Sequence, residues 1–349
     1  MSKSLGNSPE PLDLIEKYGA DGVRVGMLLC SPAGNDLLYE DSLPEQGRNF
    51  ANKIWNAFRL VKSWKVDDTK DQPDSSKIAV KWMEEIIKRS VYEVDMNFKK
   101  FRISEALMIT YRLFWDEFSA WYLEIIKPEY QKPVDRITYD ATVTLFDKLL
   151  KLIHPFMPFI TEEIWQLILE REDGESLMVT LLPTVKKYDK DLTDSFEVVK
   201  EVVSAVRTVR KNRDIQNKEK LNLLVCSEST GYDMKFLPVI SKLCNLSEVS
   251  FVSEKMEGAV SFMVRTTEYI IPLDGKLNVE DELLKIQEDL NYSRGFLVSV
   301  MKKLKNERFV QNAPANVLDL ERKKKSDTEM KIKSLEERMT QLKKLSKIP

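Results

Sequence analysis

Three stretches of this chain gather side chains of the kinds that act on phosphates and nucleic-acid bases. The first is the opening run Met1-Ser2-Lys3-Ser4-Leu5-Gly6-Asn7. Lys3 is a point charge suited to a polyphosphate, Ser2 and Ser4 are small enough to let the backbone approach such a ligand, and Gly6-Asn7 tolerates the positive φ of a turn. The second is Arg48, Asn49, Asn52, Lys53 and Asn56, with Arg59 beyond them. Amides and cations on one helix face can reach base edges and phosphates, and Arg102 is a further cation of this kind. The third is Lys302-Lys303, Lys305, Arg308 and Arg322-Lys323-Lys324-Lys325, a cluster whose charge suits phosphate contact. Each has a plainer alternative: a polar terminus, a solvated helix face, an ordinary charged surface.

Other chemistries lack their parts. His154 is the only histidine, without a partner for metal or triad chemistry, so it reads as a packed or helix-terminal residue. Cys30, Cys226 and Cys244 are scattered and form no Cys-x-x-Cys pair, which predicts no structural metal and a reducing compartment. No apolar run approaches the roughly 18 residues of a membrane span, and no signal peptide is visible; the expectation is a cytoplasmic protein with no membrane partner. The net charge of −2 argues against a uniformly basic binder of nucleic acid. Its distribution is uneven: Lys276 to Pro349 holds 17 basic against 12 acidic residues, leaving 37 against 44 in the other 275.

At 349 residues, 43% hydrophobic and 32% charged, the chain is expected to hold two or three mainly α domains. Pro9-Glu10-Pro11 fits a helix start. Tyr18-Gly19-Ala20-Asp21 reads as a helix break with a new N-cap at Asp21. A long helix from about Pro44 places Phe50, Ile54, Ala57, Phe58 and Val61 on one face, and the amide-and-cation set on the other. Asp67 to Lys77 reads as a loop, and Lys81 to Met96 as a helix with Trp82, Ile86, Val91 and Val94 inward. The next helix, from Phe101, carries Tyr111, Phe114, Trp115, Phe118, Trp121 and Tyr122, an aromatic stripe that is mostly core, with one or two rings left to stack on an unpaired base. Lys127-Pro128 ends it. A helix from Ile137 to Ile153 leads into His154-Pro155-Phe156-Met157-Pro158, after which Thr161 is a candidate N-cap.

Beyond 186 the pattern changes. A helix over about Ser195 to Lys211 has Val199, Val202, Val203, Val206 and Val209 inward. Strands are expected at Leu221–Val225, Glu248–Val252, Ala259–Val264 and Glu268–Pro272, with a helix over Phe236–Leu243. From Asn278 the repeat is heptad: Leu283, Leu290, Leu297 and Leu304, with Ile286 and Val300 between them. A turn over Asn306 to Pro314 leads to a second helix with Leu318, Ile332 and Met339 on one register and Leu335 and Leu342 on the other. This predicts an antiparallel coiled-coil hairpin about 40–50 Å long, with the third basic cluster around its turn.

These segments resemble a known family. Ser2-Lys3-Ser4 matches the end of the Lys-Met-Ser-Lys-Ser loop by which class I aminoacyl-tRNA synthetases hold ATP. Tyr18-Gly19-Ala20-Asp21 with Arg24 is similar to the helix that follows this loop in the valine, isoleucine and leucine enzymes. Arg48-Asn49-Phe50-Ala51-Asn52-Lys53 with Trp55-Asn56-Ala57 resembles the opening of the anticodon-binding bundle of valyl enzymes, and His154-Pro155-Phe156-Met157-Pro158-Phe159 with Thr161-Glu162-Glu163 and Trp165 the block that closes it. The cysteine-rich zinc module of isoleucyl enzymes is missing, and leucyl enzymes lack the hairpin. The likeness is therefore to the C-terminal part of bacterial valyl-tRNA synthetases. It implies a catalytic-domain remnant at 1–40, a helical anticodon-binding domain at 41–185, a small α/β subdomain at 186–276 and a coiled-coil tRNA-binding arm at 277–349. It also implies tRNA(Val) as partner rather than DNA, a monomer, and ATP and Mg2+ as requirements of the parent ligase and not of this part, which alone is expected to be inactive. The competing expectations are a stand-alone coiled-coil scaffold and a non-catalytic synthetase paralogue beginning at Met1.

Overall fold

The computed structural model describes residues 10–30, 40–185, 187–226, 234–252, 259–272, 279–306 and 314–345. The chain is mainly α, and its contacts divide it into two units: 1–220 with 233–247, and 221–232 with 248–349.

In the first unit Pro11 starts α1 (Pro11–Tyr18), and Gly19, at φ 76°, breaks it from α2 (Ala20–Leu29). Here the sequence expectation needs correction. Gly19 occupies the N-cap, and Asp21 lies inside the first turn. α2 lies directly against α3 (Ser42–Lys62). A Cβ on Gly47 of α3 would sit 2.3 Å from the Gly22 carbonyl oxygen, and one on Gly26 of α2 would sit 2.5 Å from the Pro44 nitrogen, so the backbones touch where only hydrogen fits. The inward face of α3 is as its spacing predicts: Phe50, Ile54, Ala57, Phe58 and Val61 are all buried.

α4 runs Asp74–Lys99, seven residues longer at its start than its apolar pattern indicates. Pro73, extended at φ −62° and ψ 145°, sets that start, and its carbonyl receives the Ser76 and Lys77 amides. The preceding loop holds β1 (Val66–Asp67), paired in parallel with β2 (Val134–Asp135), a two-residue bridge that no local pattern signals. α5 (Ile103–Arg112) passes into a π-helical stretch, Leu113–Tyr122, and returns to α6 (Leu123–Ile126). Along it Phe114, Phe118 and Tyr122 form a ladder of rings 5.4 and 5.3 Å apart, fully buried, with Phe146 edge-on at 5.3 Å from Phe118. The Tyr122 hydroxyl meets Thr142 Oγ1 at 2.8 Å. Phe146 and Thr142 lie on α7 (Arg136–Ile153), which Asp135 caps by accepting the Thr138 amide.

α8 (Pro158–Ile168) takes Pro158 at its first position. Thr161, expected as an N-cap, is an interior residue whose hydroxyl donates to the Met157 carbonyl at 2.6 Å. With that proton used, the 2.8 Å contact to His154 makes Nδ1 the donor. α9 (Lys190–Asn212) begins five residues before its expected start because Asp189 caps it, accepting the Leu192 amide. Val199, Val202, Val203, Val206 and Val209 are buried, and Phe196 stacks on Trp82 of α4 at 4.1 Å. α10 (Leu237–Cys244) ends on left-handed Asn245. Buried Arg210 closes this corner, donating to the carbonyls of Gln216, Glu219 and Cys244 at 2.8–2.9 Å.

The second unit has β3 (Leu221–Cys226), β4 (Leu246–Val252), β5 (Ala259–Val264) and β6 (Thr267–Pro272), in the order β4-β3-β6-β5. β6 is antiparallel to both β3 and β5. Thus the helices within 186–276 count with the first unit and the strands chiefly with the second. α11 (Val279–Leu304) and α12 (Ala315–Leu345) pack along each other as an antiparallel hairpin. Its apolar centre is Ile286, Leu290 and Leu335, with Leu283, Ile332 and Met339 against them. Among the described residues no helix is long and apolar enough to cross a membrane.

Candidate nucleic-acid interface

The two family-like blocks of the first unit meet although more than 130 residues separate them. The Asp21 carboxylate accepts the amides of Phe159 and Ile160 at 3.3 and 2.7 Å, and so caps α8 from α2. One turn on, the Arg24 guanidinium donates to the Phe156 and Pro155 carbonyls at 3.2 and 3.1 Å. Burial pushes the Asp21 carboxyl up, against the pull of the two amides, Arg24 and His154. His154 is itself pushed down by burial, opposed by Glu162 and Asp21. The block is therefore architectural, and its partner is the helix break whose aspartate the sequence suggested was a local cap.

This clasp holds α1 and α2 beside the α3 face. Asn49, Asn52, Asn56 and Arg59 are exposed, and Lys53 is half-buried. Lys53 Nζ lies 5.3 Å from the Trp115 ring centre. Trp115 stacks on Tyr111 at 5.4 Å and an interplanar angle of 13°, and Tyr111 rests on buried Phe50 at 4.6 Å. The aromatic stripe thus divides. Phe114, Phe118 and Tyr122 are core, while Tyr111 and Trp115 remain half-exposed beside the amides. A cation next to a rigid, partly open ring pair can stack a base and hold its phosphate.

Arg48 has a structural tie as well: its Nη1 donates to the Lys17 carbonyl at 3.0 Å, at the end of α1. It lines a cleft of about 380 Å³ with Lys17, Tyr18, Glu45, Asn49 and Asn52. Arg102 is not on this face. It is exposed at the turn before α5, two residues from Ser104, whose hydroxyl donates to the Leu28 carbonyl at 2.6 Å. Lys3, Ser2, Ser4 and Arg308 lie outside the described residues.

On the hairpin the basic cluster sorts by partner. Lys324 meets Glu321 at 2.8 Å, Lys303 reaches the same oxygen at 3.9 Å, Arg322 meets Asp319 at 3.5 Å, and Lys325 meets Glu329 at 3.7 Å. Lys302, Lys305 and Lys323 are exposed with no acidic partner among the described residues. The acids were visible in the sequence, but which cation each engages depends on rotamers and on the opposing helix. Burial pushes the Cys244 thiol up to about 12. Among the described residues no group of His, Cys, Asp or Glu could hold a metal.

The first unit exposes amides, a cation and a ring pair on one helical face, and the second carries a long hairpin with a basic cluster, both of kinds that suit nucleic acid. Residues 80–225 match the family model described as the anticodon-binding domain of tRNA ligase, and residues 278–343 the one described as the valyl tRNA synthetase tRNA binding arm. The chain belongs to the valyl-tRNA synthetase family and corresponds to the C-terminal part of its members. It is 58% identical over 98% of its length to the valine–tRNA ligase of Parabacteroides distasonis, and 57% identical over 99% to that of Phocaeicola vulgatus. It is 35% identical over 98% to the valine–tRNA ligase of Enterococcus faecalis. The chain spans about 39% of the length of the first two relatives and 40% of the third.

Proposed function

We propose that this chain is the tRNA-gripping part of a valine–tRNA ligase, with the helical unit on the anticodon of tRNA(Val) and the hairpin on its outer corner. The observation that carries the reading is the coincidence of two independent family matches with two differently built surfaces. On α3, Asn49, Asn52 and Asn56 offer amide groups that can pair with the edge of an unstacked base. Trp115 and Tyr111 offer a face to stack it, and Lys53 a charge for the adjoining phosphate. Arg48 adds a cation beside the amides, and Arg102, away from this face at the turn before α5, is a separate candidate cation. On the hairpin, Lys302, Lys305 and Lys323, with Arg308 and the paired Lys303, Arg322, Lys324 and Lys325, bind phosphates without reading sequence.

In the parent reaction valine is joined to tRNA at the expense of ATP, with Mg2+ on the phosphates. Lys3, flanked by Ser2 and Ser4, serves the ATP phosphates there. The protein works as a cytoplasmic monomer. The test is binding of tRNA(Val) and of the same tRNA carrying another anticodon. The expected result is weaker binding of the exchanged tRNA by at least tenfold, about 1.4 kcal/mol. Equal affinity for both would remove the anticodon from the reading.

A further inference from the structure

The seam of the hairpin changes its chemistry along its length. Counting back by sevens from buried Leu335, the next two positions are Thr328 and Glu321, and both are buried. An apolar residue is what a seam position calls for. The Glu321 side chain is only 7% exposed. Its Oε1 takes Lys324 Nζ at 2.8 Å and lies 3.9 Å from Lys303 Nζ, while its Oε2 is buried without a hydrogen-bond partner. Lys324 is on the same helix, whereas Lys303 comes across from α11. One carboxylate oxygen therefore draws in a cation from each helix. A buried, half-satisfied carboxylate is unfavourable for the hairpin itself, so packing does not account for it. The hydrogen bond from Lys324, with the charges of Lys303 and Lys324, outweighs desolvation and holds the carboxyl below its ordinary range.

We propose that Glu321 is an internal competitor for RNA phosphate, occupying Lys303 and Lys324 and setting the affinity of the arm below what its cations would otherwise give. The inference rests on the reading that the hairpin contacts tRNA phosphates. A phosphate approaching either ammonium has to displace or share the carboxylate and then lies beside a fixed negative charge. Lys302, Lys305 and Lys323 carry no such partner among the described residues, so they bind phosphate first and unhindered. The arrangement keeps a sequence-independent surface weak enough that discrimination is left to the bundle, because tight non-specific binding retains every tRNA alike.

The experiment compares the full 349-residue chain with its Glu321→Gln variant for tRNA binding across a salt series. Glu321→Gln is expected to bind cognate and non-cognate tRNA alike about fivefold or more tighter, with a salt dependence steeper by about one to two units. Adding Lys303→Ala and Lys324→Ala should return both quantities to the parent values. Glu321→Leu, which removes the charge and restores an apolar seam, should reproduce the gain, and so guards against a packing effect of glutamine. Unchanged or weaker binding by both variants, or a gain that survives loss of the two lysines, would overturn the proposal. Failure of the underlying reading looks different: Lys302→Ala/Lys305→Ala/Lys323→Ala in the parent would then leave affinity and salt slope untouched.

Discussion

The helical bundle and the hairpin both expose cations, but they are built in opposite ways. In the bundle Phe50, Phe114, Phe118 and Tyr122 are wholly buried, ring against ring, as is Trp82 against Phe196, and the exposed amides of α3 share their helix with Phe50 of that core. The hairpin has a single seam whose apolar centre is three buried residues, giving way toward the turn to Thr328 and Glu321. The contrast matches what the proposed function asks of each surface. Reading a base requires groups fixed to within tenths of an ångström, which a packed core supplies. Attracting phosphates requires charge in roughly the right place, for which a thin coiled coil suffices.

The largest effects should separate the two by stability. Phe118→Ala should cost the bundle about 3–5 kcal/mol. Leu290→Ala should cost the hairpin about 2–5 kcal/mol while leaving amide protection in the bundle as it was. Hydrogen exchange followed unit by unit measures both, and loss of protection throughout the chain in Leu290→Ala would mean that the units do not open independently. Gly47→Ala comes next: the 2.3 Å approach of its Cβ to the Gly22 carbonyl should cost about 1–3 kcal/mol by forcing α2 from α3. Urea unfolding gives the value, and an unaltered midpoint would contradict the close contact.

Binding variants sharpen the same contrast. Asn52→Ala should reduce discrimination between anticodons by about 1–3 kcal/mol with little change in salt dependence. Lys302→Ala/Lys305→Ala/Lys323→Ala should weaken all tRNAs alike and flatten the salt slope by about one unit per lost phosphate contact. If the two variants gave the same pattern, the division of labour between the units would fall.

The smallest expected effect concerns the α2–α8 clasp. Asp21→Ala removes the acceptor for two amides of α8, a loss of about 0.5–2 kcal/mol. Because burial raises the Asp21 carboxyl in the folded state, its contribution is full below the ordinary aspartate range and declines as pH rises through the raised value. Asp21→Asn should therefore lack that decline, seen as a flatter dependence of stability on pH across this window. His154 has the opposite sense. Its folded value is depressed by burial, so its contribution is present above the ordinary histidine range and is lost as pH falls through the depressed value. As the only histidine, its ring protons give an unobstructed titration by NMR.

Much of this molecule is written in local spacing. The inward face of α3, the valines of α9, the strands of the sheet and the heptads of α11 all follow from periodicities of 3.6, 2 and 3.5, which depend on neighbours within a turn or two. The amide-and-cation face and the basic cluster of the hairpin are legible for the same reason, since residues on one helix share a face by spacing alone. Tertiary structure decided the rest. Asp21 caps α8 rather than α2, Arg48 ties α3 to the end of α1, and β1 finds β2 across the chain. Trp115 stays open while Phe118 closes, and Glu321 gathers lysines from two helices. Each of these is a contact between residues distant in sequence or on different elements. A carboxylate, a guanidinium or a ring carries no mark of which distant backbone or charge it will meet. That partner is chosen only when the helices pack and desolvation leaves each buried polar group one place to go.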